Sequence, residues 1–338
     1  MLAMKPCASF ESVNAMLMQS FSAKAVMSAV ELKVFDHLQG KAFGAAALAD
    51  ELGLVAERLE PVLDILVAAE LLDRKGSSYI NSSVASEFLV SGSHFYQGES
   101  MRLTMRFNAM VEDCITDLLA GGDVDRVRTD EDWATERTLE GTEQDAKGGA
   151  LPYVVNFVEK LPGFENFKAM CDIGGNHGMY TMAVLEKNEN MHGTVYDLPH
   201  VVLQAQKRCN MLGFGDRITM QPLDFREERL PAAQFDLIFT SHVLYAFKDD
   251  LSKALAKIAE GLKPGGWFVS SHYSGRNEKG NEMTKASLEL LTRLCGYSSH
   301  FIEKEELINI LESLDFEEIR CRPVHENGLG LMIAGRKA

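Results

Sequence analysis

The chain has 338 residues, 46% of them apolar and 25% charged, and a formal net charge of −15. That composition describes a soluble globular protein long enough for two domains, and it excludes collagenous and disordered classes. So acidic a balance repels phosphate backbones and anionic lipid, and with no basic patch to offset it, nucleic acid and membranes are argued against as partners.

The N-terminal stretch is interrupted by Lys5, Glu11, Asn14 and Gln19, which leaves neither a signal-peptide core nor a spanning segment. From Phe10 to Leu38 apolar residues recur at helical spacing (Val13, Met16, Leu17, Phe21, Val26, Val30, Val34), predicting amphipathic helices whose stripe packs on another subunit. Next come a short helix from Ala46 to Leu52, a second from Ala56 to Ala69 and two short strands around Lys75 to Ser78, the order of a winged helix-turn-helix. Residues 1–100 hold seven basic and twelve acidic side chains, and the would-be recognition helix carries one arginine against four acids, so its electrostatics argue for a structural module over a DNA reader.

A helical stretch follows from Met101. The acidic segment from Gly121 to Gly149 reads as solvated and mobile. From about Phe164 the texture changes to alternating strand and helix, which predicts a parallel sheet covered on both faces, with ligands beyond the carboxyl ends of its strands. Six cysteines (7, 114, 171, 209, 295 and 321) show no C-x-x-C or zinc-like spacing and read as reduced thiols of a cytoplasmic protein without a metal site.

The stretch "CDIGGNHGMY" sits where the first βα turn of such a sheet is expected. A dinucleotide fingerprint would need glycine at 176 and 179, which are Asn176 and Met179, and no lysine and hydroxyl follow for a phosphate loop. What fits is D-x-G-x-x-x-G: Gly174, Gly175 and Gly178 let the backbone approach a ligand, Asn176 tolerates a left-handed conformation, and the helix from Gly178 aims its free N–H groups at a carboxylate. Asp197 lies 19 residues beyond Gly178, where an acid accepts both hydroxyl protons of a ribose. Asp224 and Phe225 end the third strand, suited to bond an adenine amine and stack on its ring. Asp172, Asp197 and Asp224 together line one crevice.

Those residues, with "YDLPHV" at 196–201, "FDLIFTSHVLYAFKDD" at 235–250 and "LKPGG" at 262–266, give the chain a resemblance to the caffeate-type small-molecule O-methyltransferases, bacterial members included, over nearly its whole length. The resemblance implies a class I Rossmann-like α/β sheet, mostly parallel with an antiparallel last strand, behind a mainly helical winged-helix domain. It implies a division into residues 1–100 for dimerisation, 101–163 as a helical linker contributing to the substrate pocket, and 164–338 as the catalytic domain. It also implies S-adenosylmethionine held by Gly174, Asp197, Leu198, Asp224 and Phe225, a small-molecule methyl acceptor and a homodimer; no metal is expected, since no carboxylate cluster of the needed spacing stands beside Asp236 or Asp249.

The family's catalytic histidine position is occupied here by Tyr245, and its supporting glutamates fall near His272 and near His300 or Phe301. A positioned base is worth about 10²- to 10⁴-fold in rate, so a hydroxyl acceptor needs a substitute. His242, His272 and His300 are the candidates, with Tyr245 as an orienting hydrogen bonder. Met101, Met105 and Met110 on the linker helix are candidates for a flexible substrate pocket, or core filler. Sulfur or carbon methylation, which needs no strong base, is the runner-up to oxygen. A non-catalytic cofactor-sensing regulator is a reading of another class, opposed by the charge of the helix-turn-helix.

Overall fold

The computed structural model describes residues 4–124, 130–326 and 328–338. Its contacts divide the chain into two compact units, one ending at Arg102 and the other beginning at Leu103.

In the first unit, helix Glu11–Glu31 and the short helix Val34–His37 precede strand β1 (Phe43–Gly44), helices Ala45–Leu52 and Ala56–Ala68, and strands β2 (Leu72–Lys75) and β3 (Ser78–Asn81). The strands form an antiparallel wing in the order β1-β3-β2. Gly53 ends the first of the pair of helices in a left-handed conformation, φ 66°, the geometry that glycine adopts without steric cost. Leu48, Leu59, Leu63, Leu66 and Leu72 bury against Val30, Val34 and Phe35. The stripe on helix Glu11–Glu31 stays open: Phe10, Leu17, Met18 and Phe21 are all more than half exposed.

The second unit is built on a seven-stranded sheet: β4 (Ala169–Ile173), β5 (His192–Asp197), β6 (Ile218–Pro222), β7 (Phe235–Ser241), β8 (Leu262–Tyr273), β9 (Phe316–Pro323) and β10 (Gly330–Lys337). Its order is β6-β5-β4-β7-β8-β10-β9. The first five are parallel to one another, and β10 runs antiparallel to both β8 and β9. Strands buried on both faces need apolar residues in both phases of the pleat. Met170, Val195, Leu237, Phe239, Trp267 and Val269 serve one core, while Cys171, Ile173, Tyr196, Ile238 and Phe268 serve the other. The order reverses between β5-β4 and β7, which opens a crevice at the carboxyl ends of those strands.

The acidic segment differs from its reading. Residues 136–148 form a helix that buries Thr138, Leu139 and Ala146, with Glu143 enclosed between Lys147 and Arg208. Its charges mask a buried face that composition alone does not reveal. Residues 125–129 of the segment lie outside the described residues.

Candidate active site

The turn after β4 alternates in hand: Gly174, Asn176 and Gly178 have φ of 66°, 44° and 70°. The Gly174 N–H donates to the Tyr196 carbonyl at 2.7 Å, and that of Gly178 to the Gly175 carbonyl at 2.8 Å, closing the loop on itself. Asn176, the one residue without glycine's freedom here, is held by its side chain: Oδ1 accepts from Thr142 Oγ1 at 3.0 Å and Nδ2 donates to the Trp133 carbonyl at 3.3 Å. A β-carbon on Gly175 would stand 2.5 Å from Val195 Cγ1 and 2.7 Å from Asp172 Cγ, so the turn presses directly on the sheet.

Asp172 therefore lies beneath the turn, a correction to its place among the crevice acids. It is 1% exposed and its Oδ2 accepts from Thr181 Oγ1 at 2.8 Å. Burial pushes its carboxyl up to about 7, against the lowering bond from Thr181. The helix after Gly178 also differs from expectation, because its first N–H, at Met179, is taken by His177 Nδ1 at 2.9 Å. Burial holds that imidazole down to about 4, in the neutral form able to accept.

Asp197 ends β5 in the crevice. Its Oδ2 accepts the Asn176 N–H at 2.8 Å and its Oδ1 the Leu198 N–H at 2.7 Å. Each oxygen keeps a second lone pair, and burial raises the group above the usual carboxylate range. A paired acceptor with one open site per oxygen fits a vicinal diol. Asp224, beyond β6, holds Arg226 in a two-pronged ion pair, with Nε 2.8 Å from Oδ1 and Nη2 2.8 Å from Oδ2, and the guanidinium lowers its carboxyl. Phe225 is buried, with the Phe247 ring edge-on at 5.4 Å and Lys257 Nζ 5.2 Å from its centroid. It forms the floor at this end of the crevice more than an open stacking face.

At the ends of β7 and β8 the structure gathers residues that are far apart in sequence. A parallel bridge between Tyr273 and Phe301, with the Ile302 N–H donating to the Tyr273 carbonyl at 2.9 Å, carries residue 300 to the end of β8. The His300 ring stacks on Tyr245, centroids 4.3 Å apart and planes 14° from parallel. Tyr273 lies 5.3 Å from His300 and 4.4 Å from His242, and Tyr297 meets Tyr245 edge-on at 5.1 Å. His242 has φ 50°, an uncommon left-handed conformation for a side-chain-bearing residue. Burial pushes both His242 and His300 down to about 4, so both are neutral near pH 7. The cluster adjoins the glycine turn through Val243, whose Cγ2 stands 2.3 Å from where a Gly174 β-carbon would be.

His272 stands apart from this group. It is 3% exposed on β8, paired in register with Leu331 of β10, with Nδ1 2.9 Å from Ser270 Oγ and Nε2 enclosed without a partner. Met101 packs in the first unit's core, and Met105 and Met110 are half-buried on helix Gly98–Glu112. The end of that helix does approach the site's framework, since Val111 and Leu118 pack with Leu294 of helix Glu282–Leu294. Tyr273, Tyr297 and Thr292, whose Oγ1 lies 3.1 Å from His300 Nδ1, belong to this cluster and were missed by sequence reading. Of these, Tyr273 alone carried a signal, as the last residue of a strand at the ligand-binding edge. Among the described residues, no group of three histidine, cysteine or acidic side chains converges as metal ligands.

Comparison with known proteins identifies the family. Residues 152–309 match the O-methyltransferase domain and residues 15–91 the O-methyltransferase dimerisation domain. The N,N-dimethyltransferase OxyT of Streptomyces rimosus is 30% identical over 78% of both chains. The 3-hydroxy-5-methyl-1-naphthoate 3-O-methyltransferase of Streptomyces sahachiroi is 25% identical over 94% of this chain and 92% of its own. Human N-acetylserotonin methyltransferase, solved with S-adenosylmethionine, shares the fold with a TM-score of 0.76 at 21% identity, covering 99% of this chain and 100% of the other. The chain belongs to the O-methyltransferase family and is an S-adenosylmethionine-dependent methyltransferase that carries the family's dimerisation domain.

Proposed function

We propose that this enzyme methylates a hydroxyl group on a small, planar, aromatic acceptor. The observation that carries the reading is the neutral histidine and tyrosine cluster set against the glycine turn. Stacked rings receive a flat acceptor, and uncharged imidazoles can take a proton from it. Bound S-adenosylmethionine supplies an electrophilic methyl on a sulfonium. In this reading Gly174, Gly175 and Gly178 let the backbone approach that cofactor, Asp197 accepts from its ribose with Leu198 beside it, and Asp224 and Phe225 bound the adenine end. Asp172 supports the turn from below.

The remaining work of the protein is alignment, because an in-line displacement is governed by how closely oxygen, methyl and sulfur are brought into line. Met105 and Met110 are assigned to the acceptor pocket, and Met101 to packing. The exposed face of helix Glu11–Glu31 takes a second copy of the chain as its partner. No described helix is long and apolar enough to cross a membrane, and all six cysteines are free thiols, which supports a cytoplasmic setting.

An amine acceptor is the second reading, favoured by the N,N-dimethyltransferase among the relatives. A neutral imidazole serves it equally, since an ammonium must lose its proton before it attacks. The test is calorimetric titration with S-adenosylmethionine and S-adenosylhomocysteine, then mass-spectrometric detection of methyl transfer across phenols, aromatic amines, thiols and thioethers. Transfer to phenols is expected. Transfer only to amines selects the second reading, and transfer only to sulfur overturns both.

A further inference from the structure

We propose that Nε2 of His300 is the atom that removes the acceptor's proton, and that Thr292 fixes the tautomer that makes this possible. The inference rests on the hydroxyl-methylation reading above and replaces the missing histidine at position 245 with one that arrives from another part of the chain.

The tautomer follows from a two-bond relay. Thr292 Oγ1 lies 2.8 Å from the Leu288 carbonyl oxygen on its own helix and 3.1 Å from His300 Nδ1. Two oxygens at 2.8 Å repel unless a hydrogen lies between them, so the single hydroxyl proton is directed to Leu288. The hydroxyl can then only accept from the imidazole, which puts the ring proton on Nδ1 and leaves the lone pair on Nε2. Thr292 is buried, 5% exposed.

The surroundings suit a base that must be neutral before the reaction and cationic after it. Burial opposes any charge on the His300 ring, which keeps the resting imidazole neutral, and the neutral His242 ring lies 6.2 Å away. Glu289 acts in the other direction. It is buried, its Oε2 accepts the His300 backbone N–H at 3.4 Å, and its charge is shared with Arg276 and Arg293. The Tyr245 face offers its π-electrons to the imidazolium as it forms, with Tyr273 and Tyr297 completing the enclosure.

In the step itself, the acceptor's O–H bond breaks and its proton moves to Nε2. The oxygen lone pair forms the new bond to the methyl carbon, and the electrons of the carbon–sulfur bond remain on sulfur as a thioether. The positive charge that began on the sulfonium ends on His300 and leaves to solvent as a proton.

Two measurements test this. In the first, the cofactor-free protein labelled with ¹⁵N-histidine is examined by two-bond proton–nitrogen correlation at pH 7, with the His300→Gln variant identifying the signals. Nδ1 protonated and Nε2 bare is the expected state. The opposite tautomer, or a cation at pH 7, overturns the proposal even if no acceptor has been found. Thr292→Ser should keep the tautomer and Thr292→Val should lose it.

In the second, kcat and KM are followed against pH on a phenol that wild type turns over. His300→Gln should lower kcat about 10²- to 10⁴-fold, less on more acidic phenols, with cofactor affinity within about twofold and the acidic limb of the profile gone. Thr292→Val should lower kcat with KM little changed, and Thr292→Ser should restore it. An unaltered kcat and acidic limb in His300→Gln would overturn the assignment while leaving the hydroxyl reading in place. Failure of wild type on every hydroxyl would sink that reading instead, with the tautomer still decided by the first measurement.

Discussion

Val243 occupies the space that a side chain on Gly174 would need: its Cγ2 stands 2.3 Å from the position of a β-carbon there. The loop carrying His242 and Tyr245 therefore packs directly on the turn assigned to the cofactor. Gly174→Ala should displace that loop, reduce cofactor affinity at least about tenfold and reduce turnover further. Val243→Ala in the same chain should recover part of the loss, because the clash is removed while the strain of a left-handed alanine, about 1 kcal/mol, remains. Calorimetry on both single variants and the double variant measures the coupling, and additive losses would mean that the two residues do not act on each other.

Asp197 holds the turn through Asn176 and is assigned to the ribose. Asp197→Ala removes both functions and strands a backbone donor, for a loss of about 2–3 kcal/mol or roughly 30- to 150-fold in cofactor affinity. Asp197→Asn should keep the fold yet bind weakly, since an amide offers one acceptor oxygen where the carboxylate offers two. Unchanged affinity in either variant would remove Asp197 from the cofactor site.

Burial lifts Asp172 to about 7, well above an unfolded carboxyl near 3.8. Between those values the native state keeps a proton that the unfolded chain has released, so its contribution is intact below about pH 4 and is lost as pH rises through about 7. Asp172→Asn, which mimics the protonated form, should therefore raise the thermal midpoint of the cofactor-free protein by ~2–4 °C at pH 8. The gain should shrink to about a quarter of that near pH 4.5 and vanish well below pH 4. An equal gain at both pH values would show that charge at this position is not the cause.

Tyr245→Phe keeps the ring that stacks on His300 and removes only the hydroxyl. Cofactor affinity should be unaffected while turnover changes, by about tenfold if the hydroxyl orients the acceptor, in keeping with the ~1–2 kcal/mol of one hydrogen bond. Stopped assays and calorimetry on one preparation separate the two. No change in either would leave Tyr245 as a stacking surface alone.

The open stripe on helix Glu11–Glu31 leaves Phe21 66% and Leu17 59% exposed. With the dimerisation domain spanning both, Phe21→Glu should shift sedimentation from dimer to monomer at micromolar concentration, since burying a charge opposite an apolar face is costly. A dimer that survives both Phe21→Glu and Leu17→Glu would place the interface elsewhere.

The βα repeat was legible because strands buried on both faces and helices with one apolar stripe leave different periods in the sequence. That Asp197 ends β5 beside the glycine turn, where it accepts the Asn176 N–H, could be read from its distance to that turn. The helix at 136–148 was hidden because Glu143 is one of its buried residues, satisfied by Lys147 and by Arg208 from a distant element; no local pattern announces a charge that will be paired across space. Asp172 was placed wrongly for a related reason, since strand-end position does not say which face of the pleat an acid occupies. His242, Tyr245 and His300 were named through the family resemblance, but that they meet, and that Tyr273 and Tyr297 join them, was out of reach, because the bridge between Tyr273 and Phe301 that assembles the cluster joins strand to loop, and a single bridge has no periodicity to read.

With the turn assigned to the cofactor, the bond from Asn176 to Asp197 bears on how fast the cofactor can come and go. A glycine-containing loop closing only upon its ligand would have to give up its freedom at that moment, at about 1–2 kcal/mol per residue. Here the chain surrenders that freedom when it folds, through Asp197 at the end of β5, Thr142 and Trp133 on Asn176, and Val243 against Gly174. Preorganisation of this kind removes an ordering step from association, so cofactor capture should proceed in one kinetic phase, and exchange of spent cofactor for fresh should not have to wait for the turn to open.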